Sequence, residues 1–168
     1  MNAKTRTVMT VVSVMLILGL FALEQSTSAQ SPISNCKKLK GTSVQVFDPV
    51  TGIVSGTVTN AGILDGTLED VINSDAGFVL APDPNVVTFL SDLTITTVNG
   101  QLKASPLTAF NFVTGFWSEF GNINPNTSTG RFAGATGVIF FSGKSIGNID
   151  TGPFKAQITG EICFANEQ

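Results

Sequence analysis

Histidine and tyrosine are absent from this 168-residue chain, tryptophan occurs once, cysteine twice, and only 12% of the residues are charged. Without histidine there is no Ser-His-Asp or Cys-His activation of a nucleophile. The usual general base near neutral pH and the commonest metal ligand are missing as well. Without tyrosine there is no phenolic chemistry. Hydrolases of the familiar kinds are therefore not expected. Calcium loops of the D-x-D-x-D-G type do not occur either, so neither a metal nor a cofactor is expected.

Positive charge is also scarce. The nine basic residues face twelve acidic ones, and the one basic cluster, Lys37-Lys38-Lys40, is short enough to be ordinary solvated surface. Nucleic acid, which needs clustered Lys and Arg against phosphate, is excluded as a partner on this balance.

The first residues speak to location. Lys4 and Arg6 precede an apolar run from Val8 to Leu23, and the polar stretch after it closes on small residues ending at Ala29. That layout is a signal peptide, residues 1–29, and implies a secreted or periplasmic protein with no stable membrane insertion after cleavage. A retained anchor is the alternative, against which the run falls short of the roughly 20 residues a spanning helix needs. Loss of the leader leaves 139 residues with a net charge of −4, enough for one domain with a core. In an exported protein, two cysteines near the two ends, Cys36 and Cys163, favour a disulfide. Two buried free thiols are the alternative, and the absence of C-x-x-C spacing argues against redox work.

The mature chain reads as an irregular lead-in over residues 30–41, then a β domain over residues 42–168. Short runs follow one another with turn residues between them: 42–47, 52–59, 66–73, 77–80, 86–98, 101–104, 107–120, 131–142 and 153–164. Asn99-Gly100 is the sharpest turn signal and suits a two-residue hairpin with positive φ at both positions. Residues 154–164 alternate with period two, Phe154, Ala156, Ile158, Gly160, Ile162 and Phe164 on one face and Lys155, Gln157, Thr159 and Glu161 on the other. The run 131–142 is apolar on both sides and is expected to be covered on both. Many strands with hairpin-length connections predict an all-β fold, a single closed antiparallel barrel of about eight strands, which removes free edges.

The aromatic-dense stretch Phe110, Phe112, Phe116, Trp117 and Phe120 is the candidate apolar cavity, with a simple packed core as the alternative. On uninterrupted strand parity the four phenylalanines share a face, and Trp117 and Glu119 share the other. Glu119 and Glu161 sit in apolar runs and are the candidate polar groups of the cavity, the acids to suspect of raised pKa values, with a solvated strand face as the simpler alternative for both.

The motif Gly130-Arg131-Phe132-Ala133-Gly134-Ala135-Thr136-Gly137, continuing Val138-Ile139-Phe140-Phe141, is the most distinctive of the mature chain. It resembles the glycine-rich strand segment of the allene oxide cyclase and dirigent superfamily, and the ending Gly152-Pro153-Phe154 to Gly160-Glu161-Ile162-Cys163 is similar to the closing strand of its bacterial members. The likeness covers about the last 40 residues and implies an eight-stranded barrel, a confined apolar cavity and a dimer or trimer. It carries no catalytic residue onto this chain. Three functions stand open: a non-catalytic binding or scaffold barrel holding a small apolar ligand, a cyclase-like isomerase or dirigent-type guide acting on such a molecule, and a structural protein of the cell surface.

Overall fold

A computed structural model describes residues 35–73, 79–80, 83–148 and 152–165 of the chain. The leader 1–29 lies outside the described residues. Among the described residues there are nine strands: β1 (Asn35–Asp48), β2 (Ile53–Thr59), β3 (Gly66–Ile72), β4 (Val79–Leu80), β5 (Val86–Thr97), β6 (Gly100–Asn111), β7 (Phe116–Ile123), β8 (Thr136–Ser145) and β9 (Phe154–Phe164). All pairings are antiparallel. Eight of the strands follow one another around a ring, β3 pairing with β5 and β9 returning to β1, so the sheet closes into an up-and-down barrel; β4 is a two-residue addition on β5. Among the described residues the only helical turns are two short 3-10 segments, Gly62–Leu64 and Gly130–Phe132.

Alternation along each strand decides what the barrel encloses. On β1, Leu39, Ser43 and Gln45 are buried while Lys38, Lys40 and Val44 are exposed; on β9, Ala156, Ile158 and Ile162 are buried while Lys155, Gln157 and Glu161 are exposed. The seam between these first and last strands carries the disulfide. Cys36 and Cys163 are register partners, their sulfurs bonded at 2.04 Å across a sequence separation of 127. A bridge closing so long a loop is worth about 4–5 kcal/mol in the chain-entropy model.

Turns at one end repeat a five-residue device. Asp48-Pro49-Val50-Thr51-Gly52 joins β1 to β2, and Asn111-Phe112-Val113-Thr114-Gly115 joins β6 to β7. In each, the Asx side chain accepts a hydrogen bond from the backbone N–H two residues on (2.9 and 3.0 Å), and the final glycine takes a left-handed φ of 71° or 70° while donating back to the Asx carbonyl.

The opposite end is plugged. Leu64, in the first 3-10 turn, and Phe132, in the second, are both fully buried and close the core over Leu68, Ile95, Leu102, Ile139 and Ile162. Gly41 lets the first turn settle, since a Cβ there would collide with Ala61. The loop after β7 runs beside the start of β6, Asn124 N–H and Thr129 N–H donating to the carbonyls of Lys103 and Gln101 at 2.8 Å each. It continues the sheet where β7 stops.

Several expectations change. Residues 35–41 are the first half of β1, not lead-in; Lys37, Lys38 and Lys40 are exposed, but the strand is held by β9. Pro106 does not separate two strands, because β6 runs through it; the β5–β6 ladder skips Ser91 and Asp92 opposite Pro106 and Ser105, where the missing N–H loses no partner. The hairpin near Asn99-Gly100 turns on Val98 and Asn99, with Thr97 paired to Gly100, and only Gly100 has a positive φ, of 127°. Gly130, Gly134 and Gly137 also sit at positive φ; the first two precede β8 rather than lying within it. Finally, β8 is covered on one side only. Ile139 and Phe141 are buried, whereas Phe140 is exposed and continues an outward apolar row with Leu90, Leu107 and Phe120, successive register partners across β5 to β8.

Candidate functional site

Away from the plugged end the same strands leave a cavity of about 480 Å³. Its walls are apolar, with Phe47 and Val54 from β1 and β2, Ile72 from β3, Val87 and Phe89 from β5, Phe110 from β6, Trp117 from β7 and Phe154 from β9; Pro49 and Phe112 come from the two five-residue turns. The rings brace one another. Phe110 makes edge contacts with Phe112 and Phe154 at centroid distances of 5.2 and 5.9 Å, and Trp117 stacks on Phe141 at 6.1 Å.

Four polar side chains of this lining, Gln45, Asp70, Thr108 and Glu119, come from inward positions of β1, β3, β6 and β7. Asp70 and Glu119 are only 4% and 5% exposed, and Thr108 is buried opposite Glu119 in the β6–β7 register. Ser91, buried on β5, stands beside Asp70. Gln45 is held by donating from Nε2 to Ser43 Oγ at 2.8 Å. Asp70 Oδ1, Ser91 Oγ, Thr108 Oγ1, Trp117 Nε1 and Glu119 Oε1 are buried and find no hydrogen-bond partner within the protein. Buried polar atoms are ordinarily satisfied, so five of them in one region single it out as the candidate site, where water or the head of a ligand would find partners.

Burial shapes the acids. Withdrawal from water pushes the Asp70 carboxyl up to about 6; the Ser91 hydroxyl beside it works against this without reaching hydrogen-bond geometry, and the charge of Asp92 adds to it. Glu119 is held well above the ordinary glutamate range, first by burial, then by the charge of Asp70, with the Thr108 hydroxyl opposing. Two carboxyls that feel each other resist ionising together. Among the described residues lining the cavity, none carries a positive charge.

The candidate residues read from sequence divide. Phe110, Phe112, Trp117 and Glu119 line the cavity. Phe116, at 58% exposure, and Phe120 point outward, the first under Lys144 Nζ at 4.9 Å from its ring and the second against Phe140 at 4.8 Å. The turn Asn111–Gly115 breaks the assumed parity: Phe110 belongs to β6, and on β7 it is Trp117 and Glu119 that face inward. Glu161 is exposed on the outer face of β9, between inward Gly160 and Ile162, and is no cavity group. Asp70 is the residue sequence reasoning missed. Its signal was parity, since Leu68, Asp70 and Ile72 alternate with the outward Thr67, Glu69 and Val71.

The three cysteine and carboxylate groups lying close enough to suggest a metal site, Cys36, Glu161 and Cys163, include both disulfide sulfurs, which cannot also act as thiolate ligands. Set against known proteins, the chain matches no family model, no curated protein and no solved structure.

Proposed function

We propose that this barrel is a secreted binding protein that holds a small, largely apolar molecule in the cavity at its open end. The observation that carries the reading is the cavity itself: about 480 Å³ walled by braced aromatic rings, with buried polar atoms that the protein leaves unpaired. Ligand sites of this size are commonly apolar with a few placed polar groups, and a barrel of eight strands is wide enough to hold one small ligand. The disulfide fits an oxidising compartment outside the cytoplasm. The likeness of Gly130–Gly137 to the allene oxide cyclase and dirigent superfamily supports the same architecture, because members of that superfamily confine small apolar molecules inside eight-stranded barrels.

A second reading, a cyclase-like or other isomerase, is favoured by one specific observation. Asp70 and Glu119 are carboxyls of one cavity with unequal environments, the pattern by which one acid gives a proton while its neighbour takes one. Binding and isomerisation share the cavity and differ in whether the bound molecule leaves changed.

The test is organic extraction of the protein purified from the compartment to which it is exported, followed by mass spectrometry. The binding reading expects an apolar compound at about one per chain. An isomerase would yield a substrate and product of equal mass. Protein that carries nothing, and takes up no apolar probe, would end both readings.

A further inference from the structure

We infer that the molecule held in this cavity is an apolar-bodied amine, with its ammonium head among Asp70, Glu119 and Thr108. The inference rests on the binding reading above and adds the charge of the ligand. Two observations carry it independently. The first is composition: every ionisable side chain lining the cavity is a carboxyl, and no Lys or Arg of the described residues reaches it to offset them. The second is the state of those carboxyls. Each is more than nine-tenths buried, and each presents an oxygen, Asp70 Oδ1 and Glu119 Oε1, that no donor of the protein meets. An uncompensated buried carboxylate is costly, and a buried charge is ordinarily paired. A proton relieves Glu119, whose carboxyl is held well above the ordinary range; for the charge that remains at Asp70 the cavity lining offers no cation.

The three possible charges of a ligand head then separate. An anionic head, such as a fatty acid carboxylate, would be placed beside two carboxyls with no cation to receive it. A neutral hydroxyl would satisfy Thr108 Oγ1 or Trp117 Nε1 but leave the carboxylate charge unpaired. An ammonium donates up to three hydrogen bonds, enough for Asp70 Oδ1, Glu119 Oε1 and the Thr108 hydroxyl together, and supplies the missing charge. The indole face of Trp117 adds an aromatic surface that a cation favours. The methylene or ring body of the ligand lies against Phe47, Phe89, Phe110 and Phe154.

The only tryptophan of the chain is in the cavity wall, so its fluorescence reports occupancy directly. The purified, disulfide-bonded protein is titrated near neutral pH with decylamine, decanol and decanoate, each below its micellar concentration. Saturable changes in Trp117 emission are expected, with decylamine bound at least roughly tenfold more tightly than decanol and decanoate the weakest. The preference for amine over alcohol is expected to disappear in the double variant Asp70→Asn, Glu119→Gln and to persist in Glu161→Gln, whose carboxyl is on the outer face. The comparison of three probes on the unaltered protein stands even if the double variant fails to fold. Equal binding of amine and alcohol, or tightest binding of decanoate, overturns the amine inference while leaving the binding reading intact. No saturable response to any probe overturns both.

Discussion

At the plugged end of the barrel, Leu39, Val58, Leu68, Ile95, Leu102 and Ile139 fill the inward positions beneath Leu64 and Phe132, whereas at the open end the same strands turn Gln45, Asp70, Ser91, Thr108 and Glu119 inward. The backbone pairing does not change between the two halves; the side chains do. One end spends its interior on packing, and its core residues are dry and touch one another. The other keeps space between its rings and accepts two buried acids, an arrangement that lowers stability and is retained where a site needs it. In this protein the packed core and the candidate site are separated along the barrel axis, so substitutions at the two ends should differ in kind.

The largest expected effect is at the plug. Phe132→Ala should cost about 3–5 kcal/mol, because it removes a fully buried ring from the closed end of the core. Phe110→Ala, at the open end, should cost markedly less, since Phe110 is half-buried and already borders empty space, while weakening probe binding. Chemical denaturation of both variants checks the pair, and equal losses would erase the distinction between the ends.

Reduction of Cys36–Cys163 comes next. Opening the seam between β1 and β9 should remove about 2–5 kcal/mol, the chain-entropy value being the upper end, seen as a lower denaturation midpoint with reductant. Because the bridge lies at the plugged end, the protein that remains folded should still bind apolar probes.

Asp70→Asn, at the open end, is expected to act with the opposite sign. The Asp70 carboxyl is pushed up to about 6, so in the folded protein it holds a proton that the unfolded chain has already released above about pH 4. The folded state therefore loses stability relative to the unfolded one as pH rises through about 4 to 6. The groups that bear on it are Glu119 from β7 and Asp92 from β5; β2, on its other side, contributes no charged residue. The asparagine variant should be more stable than the parent by about 1–2 kcal/mol near neutral pH, and the gain should vanish by about pH 4. Thermal melts across that range provide the check. The smallest effect is expected of Glu161→Gln on the solvated face of β9, within about 0.5 kcal/mol in stability.

Much of this division was legible in the residues. Period-two alternation and frequent turn signals gave an all-β chain, and the even cysteine count gave the bridge, because both follow from local chemistry or arithmetic. The pairing of Trp117 with Glu119 on one face followed from parity alone. What failed depended on knowing where parity resets. The turn Asn111–Gly115 has the same Asx-x-Val-Thr-Gly form as Asp48–Gly52, yet its phenylalanine and valine disguised it as continuous strand, which sent Phe116 and Phe120 to the wrong side. The first half of β1 was hidden because its three lysines are solvated and its pairing partner is the last strand of the chain. Asp70 could be assigned a face, but only closure of β3 onto β5 sets that face inside a cavity shared with Glu119.

Asp70 and Glu119 are withdrawn from water in one cavity at the open end. Carboxyl-carbon NMR titration of the folded protein, with the two sites assigned through Asp70→Asn and Glu119→Gln, measures this directly. The expected result is a midpoint of about 6 for Asp70 and one well above the ordinary glutamate range for Glu119, with each titration altered when the other acid is replaced. Two independent midpoints near about 4 would mean that both carboxyls are solvated, and would contradict the account.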